Sequence, residues 1–325
     1  MAERDADTRV LVLDQHPDPY FEGLCEAFPD VSFESCVHGD DAESHARRLQ
    51  PQIILSSKSR DIPGERKRAA MQVPGVRWVQ VCGAGFDHIM PIQDFDATVT
   101  NCAGVLSEFL GETMLAMMMS LSLGLPAYLN QQRQRVWRHQ PRQSISGKTV
   151  LIVGLGNVGR DVARRCKQAN MHVLGLRNTP RATEHVDEVA GIDALLDWLP
   201  RADYVCLHTP LTAATRDLMG EAHFAAMKPG SYFLNGARGG IVDEQALAGA
   251  LRSGHLAAAY SDVFATEPLP ATDPAWNVPN LVVTPHMADS IGDWPVRYAD
   301  FFGVNLRRWL RGESLLNVVD GDRGY

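Results

Sequence analysis

The sequence predicts an α/β protein of two domains, each built on a doubly wound parallel sheet. Short runs rich in β-branched residues alternate with segments of helical spacing, the pattern of strands joined by helical returns. The 325 residues are about twice the common domain size. A long strandless apolar stretch near the middle would suit a connector between two domains. Hydrophobic residues make up 45% of the chain and charged residues 22%. That balance suffices for one large core or two moderate ones and excludes a disordered or fibrous chain.

In the first third, β-rich runs fall at 10–13, 53–55, 76–81 and 98–100. Later runs fall at 149–153, 172–176, 204–207, 231–234, 256–261 and 281–284. From Leu106 to about Arg138 there is no strand signal. Apolar residues at 106, 109, 110, 114, 117, 118, 121 and 125 repeat at i, i+3 and i+4. The spacing predicts a long helix bent near Gly124 and Pro126. A second helical stretch at 291–310 closes the chain.

The apolar stretch 114–129 contains two serines, is interrupted by Pro126, and falls short of the roughly 20 apolar residues a membrane helix needs. The first nine residues are charged and lack the apolar region of a signal peptide. Cys25, Cys36, Cys82, Cys102, Cys166 and Cys206 form no CxxC pair and no zinc spacing, so no metal is expected and the thiols read as reduced. Lys and Arg number 31 against 39 Asp and Glu, a net charge of −8. An acidic surface argues against nucleic acid or anionic membrane as the main partner. A soluble cytoplasmic protein is expected.

Residues 150–159 read VLIVGLGNVG: a strand, then Gly154-Leu155-Gly156-Asn157-Val158-Gly159, then helix-forming residues through Asn170. In a dinucleotide-binding turn the first glycine makes the tight bend and the second lets backbone approach a pyrophosphate. The third lets helix and strand pack, and the helix N-terminus faces the anion. The next strand ends in Arg177-Asn178-Thr179-Pro180-Arg181, where an NAD site would carry Asp or Glu for the ribose. No carboxylate there repels a 2′-phosphate and two guanidinium groups could bind it, so NADP(H) is expected over NAD(H).

The six strands expected after residue 148 end at Gly154, Arg177, His208-Thr209-Pro210, Asn235-Gly236-Ala237-Arg238, Asp262 and His286. Ligands of open α/β sheets bind beyond the carboxyl ends of strands. Six polar or glycine-rich ends after apolar interiors describe one cleft.

The ordered set GLGNVG, HTPLTAATR, NGARGGIVDEQAL, DVFATEPLP and TPHMADS resembles the D-isomer-specific 2-hydroxyacid dehydrogenase family, and within it the glyoxylate/hydroxypyruvate reductases. The likeness runs from VQVCGAGFDHI near Val76 to GESLLNVVD and is weaker over the first 75 residues. It implies a Rossmann NAD(P)-binding domain (102–289) inserted into a flavodoxin-like substrate domain (1–101 with 290–325), in a homodimer. Arg238 matches the substrate-binding arginine, Glu267 the glutamate that pairs with the catalytic histidine, and His286 that histidine. Gly83, Ala84 and Gly85 match the loop whose N–H groups hold the substrate carboxylate. His208, Thr209 and Pro210 match the loop along the cofactor. Asp262 and Asn235 fall near the nicotinamide, and Ala237, Arg238 and His286 are also expected to bind the cofactor.

Chemistry agrees with those roles. Reducing a 2-oxoacid needs a hydride on the carbonyl carbon and a proton for its oxygen. Histidine is a natural proton donor near neutrality, and a neighbouring carboxylate favours an imidazolium. A planar arginine can hold carboxylate and carbonyl oxygens together. The expected activity is NADPH-dependent reduction of a small 2-oxoacid to its D-2-hydroxyacid. The alternatives are an NAD-linked relative of phosphoglycerate dehydrogenase and a nucleotide-sensing scaffold of the corepressor type.

Overall fold

The computed structural model describes residues 8–57 and 62–321. The chain divides into two compact units, Met1–Val105 with Ile291–Tyr325, and Leu106–Ser290. Sequence reasoning puts the crossings at 101/102 and 289/290.

The first unit holds strands β1 (Thr8–Leu13), β2 (Val31–Cys36), β3 (Ile53–Ser56), β4 (Trp78–Val81) and β5 (Thr98–Thr100). Helices α1 (Asp18–Ala27), α2 (Ala42–Leu49) and α3 (Gly64–Met71) return between them. All strands pair in parallel in the order β2-β1-β3-β4-β5, the flavodoxin-like order. Helices on both faces bury the inner strands on both sides, which is why they read as unbroken apolar runs such as Val10–Leu13. The sequence missed β2 because VSFESC mixes exposed Ser32 with buried Val31 and Cys36, as an edge strand does. The closing helix, Trp294–Arg311, buries Tyr298, Phe302 and Leu306, with Phe302 stacked on Trp78 at 5.2 Å.

The second unit begins with α4 (Ser107–Leu123) and α5 (Leu125–Gln134), bent by 57° at Gly124, whose φ is +75°. That is the bent connector the periodicity predicts, shorter at its C-terminal end. No single helix among the described residues is long and apolar enough to cross a membrane. Met114, Met118 and Leu121 of α4 join the core formed with Val150, Ile152, Tyr204 and Leu234.

The strands that follow are β6 (Thr149–Val153), β7 (His172–Leu176), β8 (Glu188–Ala190), β9 (Tyr204–Leu207), β10 (Tyr232–Asn235), β11 (Ala258–Ser261) and β12 (Leu281–Val283). Between them lie α6 (Asn157–Gln168), α7 (Leu195–Trp198), α8 (Glu221–Ala226) and α9 (Glu244–Arg252). All seven strands are parallel, in the order β12-β11-β10-β9-β6-β7-β8. Their carboxyl ends therefore share one edge. The order reverses at β6, which opens a crevice between the ends of β6 and β9. β8 went unpredicted because it is three residues at the sheet edge, none of them buried.

Candidate functional site

The strand ends of the second unit form a row: His286, Asp262, Asn235 to Arg238, His208, Gly154 and Arg177 follow β12, β11, β10, β9, β6 and β7 in spatial order. Five inter-strand steps of about 4.8 Å put roughly 24 Å between the two ends of that row. The distance suits an extended dinucleotide.

At the crevice, Gly154 has φ +103°, and a Cβ there would lie 2.6 Å from the His208 carbonyl oxygen. A Cβ on Gly159 would lie 2.0 Å from the Gly154 carbonyl oxygen, so helix and turn close together only with glycine at both places. Gly156 caps α6 without a side-chain bond to its first turn. Leu155 is buried, Asn157 exposed and Val158 partly buried.

At the β7 end, a cleft of about 530 Å³ is lined by Arg177, Arg181, Arg160, Arg164, Asp161, Thr183 and His185 among others. Among the described residues, the Arg177 guanidinium reaches Thr183 Oγ1 alone, at 3.5 Å. Desolvation, then the Arg181 and Arg160 guanidinium groups, push Arg177 below its ordinary value. Asp161 does not balance that charge, because it is bound to Arg164 (2.5 Å) and Arg165 (2.6 Å). Asn178, Thr179 and Arg181 are exposed on the loop. Sequence reasoning missed Arg160. It lies one residue past the glycine motif, and only the fold turns it toward Arg177.

At the β9 end, His208 Nδ1 and Nε2 and Thr209 Oγ1 are buried without hydrogen-bond partners among the described residues. Buried polar atoms normally find partners, so orphans beside the glycine turn fit a polar ligand lying along the crevice. Pro210 is exposed beyond them. Burial pushes the His208 imidazole down from 6.5 to about 4. The unfolded chain therefore binds a proton that the folded one refuses between those values. The free protein is expected to lose stability as pH falls from about 6.5 to 4, by about 3 kcal/mol through this group. Denaturant midpoints against pH check this, and His208→Gln should flatten the slope.

At the β10 end, buried Asn235 shapes the turn that presents Arg238. Its Oδ1 accepts the Ala237 N–H (3.1 Å), and its Nδ2 donates to the Arg238 carbonyl (3.4 Å). Arg238 Nη1 donates to the carbonyl of buried Ala237 at 2.8 Å. Gly239 follows, where a Cβ would lie 1.9 Å from the Phe264 carbonyl carbon and 2.2 Å from Ala265 N. The arginine turn is thus pressed against the segment after β11.

His286 stands at the β12 end with φ +54°, and its N–H bonds the Asp262 carbonyl at 2.8 Å. Its Nδ1 donates to Glu267 Oε2 at 2.7 Å, and the other oxygen of Glu267 accepts the Phe264 N–H at 2.9 Å. Histidine and glutamate are both partly buried, at 25% and 21% side-chain exposure. The pairing leaves Nε2 as the ring nitrogen opposite Glu267, the position for proton exchange with a bound molecule.

Asp262 is buried and given over to the histidine loop. Its Oδ1 accepts from Thr284 Oγ1 (2.5 Å) and the Met287 N–H (2.8 Å), and its Oδ2 from the Ala288 N–H (2.9 Å). The Ala288 carbonyl in turn accepts from Thr113 Oγ1 of α4 at 2.8 Å.

In the first unit, Gly83, Ala84 and Gly85 follow β4. The Gly83 carbonyl accepts the Cys102 N–H (2.8 Å) and the Ala84 carbonyl accepts from Asn101 Nδ2 (2.9 Å). These bonds fix the loop to the end of β5. Neighbouring Cys82 is buried, and its bond with Cys102, together with burial, pushes its thiol well up, which makes it a poor nucleophile.

Residues 115–288 match the family model described as "D-isomer specific 2-hydroxyacid dehydrogenase, NAD binding domain". A glyoxylate/hydroxypyruvate reductase B of Citrobacter koseri is 32% identical over 322 residues, 96% of this chain and 97% of that protein. A D-3-phosphoglycerate dehydrogenase of Methanocaldococcus jannaschii is 31% identical over 319 residues, 93% of this chain but only 58% of that protein. A crystal structure of a D-isomer-specific 2-hydroxyacid dehydrogenase from Xanthobacter autotrophicus, in complex with NADPH and MES, superposes with a TM-score of 0.82 at 32% identity, covering 97% of this chain and 99% of that one.

Proposed function

The chain belongs to the D-isomer-specific 2-hydroxyacid dehydrogenase family, and from that membership we propose that it reduces a small 2-oxoacid of the glyoxylate/hydroxypyruvate kind to its D-2-hydroxyacid with NADPH. The observation that carries this reading is the 2.7 Å bond between His286 Nδ1 and Glu267, at the far end of the strand-end row from the arginine cleft.

The cofactor, when bound, supplies the hydride. The Gly154–Gly159 turn and the open N-terminus of α6 would hold its pyrophosphate, His208, Thr209 and Pro210 would line the crevice beside it, and Ala237, Asp262 and His286 would stand toward its nicotinamide end. Asn178 and Thr179 would border the ribose, and Arg177, Arg181 and Arg160 would hold the 2′-phosphate. Arg238 grips the substrate carboxylate as a bidentate donor, and the Gly83–Gly85 loop of the first unit is the other substrate-binding segment in this reading. Arg238 thereby orients the carbonyl carbon. His286 gives its Nε2 proton to the carbonyl oxygen, while Glu267 holds the ring and offsets the imidazolium charge. Domain 102–289 binds the cofactor, and 1–101 with 290–325 the substrate.

Preference for NADPH is supported by three guanidinium groups at the β7 end where an NAD site would carry a carboxylate. Arg177→Ser is expected to raise KM for NADPH about ten- to hundredfold and leave KM for NADH nearly unchanged. Arg160→Ala should move KM in the same direction by less.

Pairing with a second copy is supported by the apolar residues that α4 and α5 leave outside, with Met119 53% and Leu129 46% exposed, and by fully exposed Trp137. Light scattering should give twice the 35.8 kDa chain mass; a monomer at micromolar concentration would contradict the pairing. Six free thiols accord with the cytoplasm.

Initial rates of NADPH and NADH oxidation against glyoxylate, hydroxypyruvate, pyruvate and phenylpyruvate test the reading. At least about tenfold better use of NADPH is expected. Equal use would overturn the arginine argument. Tight NADPH binding without turnover would favour a scaffold, and NAD-linked oxidation of 3-phosphoglycerate would favour the phosphoglycerate dehydrogenases.

A further inference from the structure

Glu244 is the first residue of α9, where a carboxylate ordinarily serves the helix dipole or the cap. Capping here is already done by Asp243, whose Oδ1 accepts the N–H groups of Gln245 and Ala246, both at 3.0 Å. The Glu244 side chain instead crosses to the segment after β11, and its Oε1 accepts the Ala265 N–H at 2.7 Å. The preceding N–H, that of Phe264, belongs to Glu267. Two consecutive peptide N–H groups are thus divided between two glutamates, and one of these holds His286.

The Phe264–Ala265 peptide, whose N–H Glu244 holds, also meets the arginine turn, since Gly239 packs directly on it. Phe264 and the two peptides that flank it therefore join the turn of Arg238, the bond of Glu267 and, through Glu267, the ring of His286. Glu244 reaches it at a cost. Partial burial, then Asp273, Asp243 and Glu267, push its carboxyl up, and only the Ala265 N–H works the other way. Three like charges near a partly desolvated carboxylate are a poor arrangement for a residue serving only the helix end.

We propose that Glu244 is a positioning residue for proton transfer: by fixing the Phe264–Ala265 peptide it sets the angle at which Glu267 meets His286. The proposal rests on the reading of His286 and Glu267 as the proton-transfer pair. Glu244 touches neither substrate nor cofactor in this role, so its loss should appear in kcat and not in KM for NADPH.

Three variants separate reach from charge. Glu244→Gln keeps an acceptor oxygen at the same length and is expected to stay close to wild type. Glu244→Asp keeps the charge at the helix start but is one methylene short, and is expected to lower kcat about tenfold with KM for NADPH unchanged. Glu244→Ala should behave like Glu244→Asp; if it fails to accumulate folded, the Asp and Gln variants alone decide. The downfield proton NMR signal of His286 Nδ1–H, which needs no substrate, should persist in wild type and Glu244→Gln and be lost or broadened in Glu244→Asp. Wild-type kcat and an unchanged signal in Glu244→Asp would overturn the proposal, as would a Glu244→Gln variant as impaired as Glu244→Asp. Failure of the wild type to reduce any 2-oxoacid would instead remove the reading beneath it, while the signal still reports the geometry.

Discussion

Replacing His286 with asparagine is expected to lower kcat about 10²–10⁴-fold while leaving NADPH binding close to wild type. Asparagine is the informative choice because His286 has φ +54°, a conformation asparagine tolerates better than most residues. The backbone bond from His286 N to the Asp262 carbonyl should survive, and only the ring is lost. In the proposed reading, cofactor affinity rests mainly on the Gly154 turn, the α6 N-terminus and the arginines, several strands away along the sheet edge. The kcat loss should not deepen when Glu267→Gln is added, because Glu267 acts through the ring that is already absent. Single-turnover rates for the two single variants and the double variant, with NADPH titrations beside them, check this.

Asp262→Asn is expected to destabilise the fold by about 1–3 kcal/mol and to lower kcat by about two orders of magnitude, with KM for NADPH near wild type. The carboxylate accepts from three donors: the Thr284 hydroxyl and the N–H groups of Met287 and Ala288. A carboxamide offers one accepting oxygen and an NH₂ that must face another donor. At least one buried N–H is then unpaired, at roughly 1–3 kcal/mol. The loop just after His286 would loosen with it, so the ring loses the placement on which proton transfer depends. Denaturant unfolding at constant m value, with kcat measured on the folded fraction, is the check. A raised KM for NADPH with intact stability would instead make Asp262 a direct cofactor contact.

How far the sequence could be read depended on which kind of order each residue obeys. The inner parallel strands are apolar on both faces, so their runs stood out, and their polar ends marked the row from Gly154 to His286. The bend at Gly124 followed from a helical period interrupted by glycine and proline. β2 escaped because an edge strand alternates with polar residues, and β8 because three residues at the sheet edge, none of them buried, make no pattern.

Among the candidate site residues, those at strand ends were legible by position. Arg160 was not, because a residue on the first turn of a helix joins the β7 cleft only once α6 packs. The bonds of Asp262 to Met287 and Ala288, and of Glu244 to Ala265, were equally hidden. They link side chains to backbone N–H groups more than twenty residues away in sequence, and no periodicity records them.

The most direct test of the central claim is the configuration of the product. Purified protein with hydroxypyruvate and NADPH should yield D-glycerate in equal amount to the NADPH oxidised, resolved by chiral chromatography. L-glycerate, or NADPH oxidation without a 2-hydroxyacid product, would contradict the account.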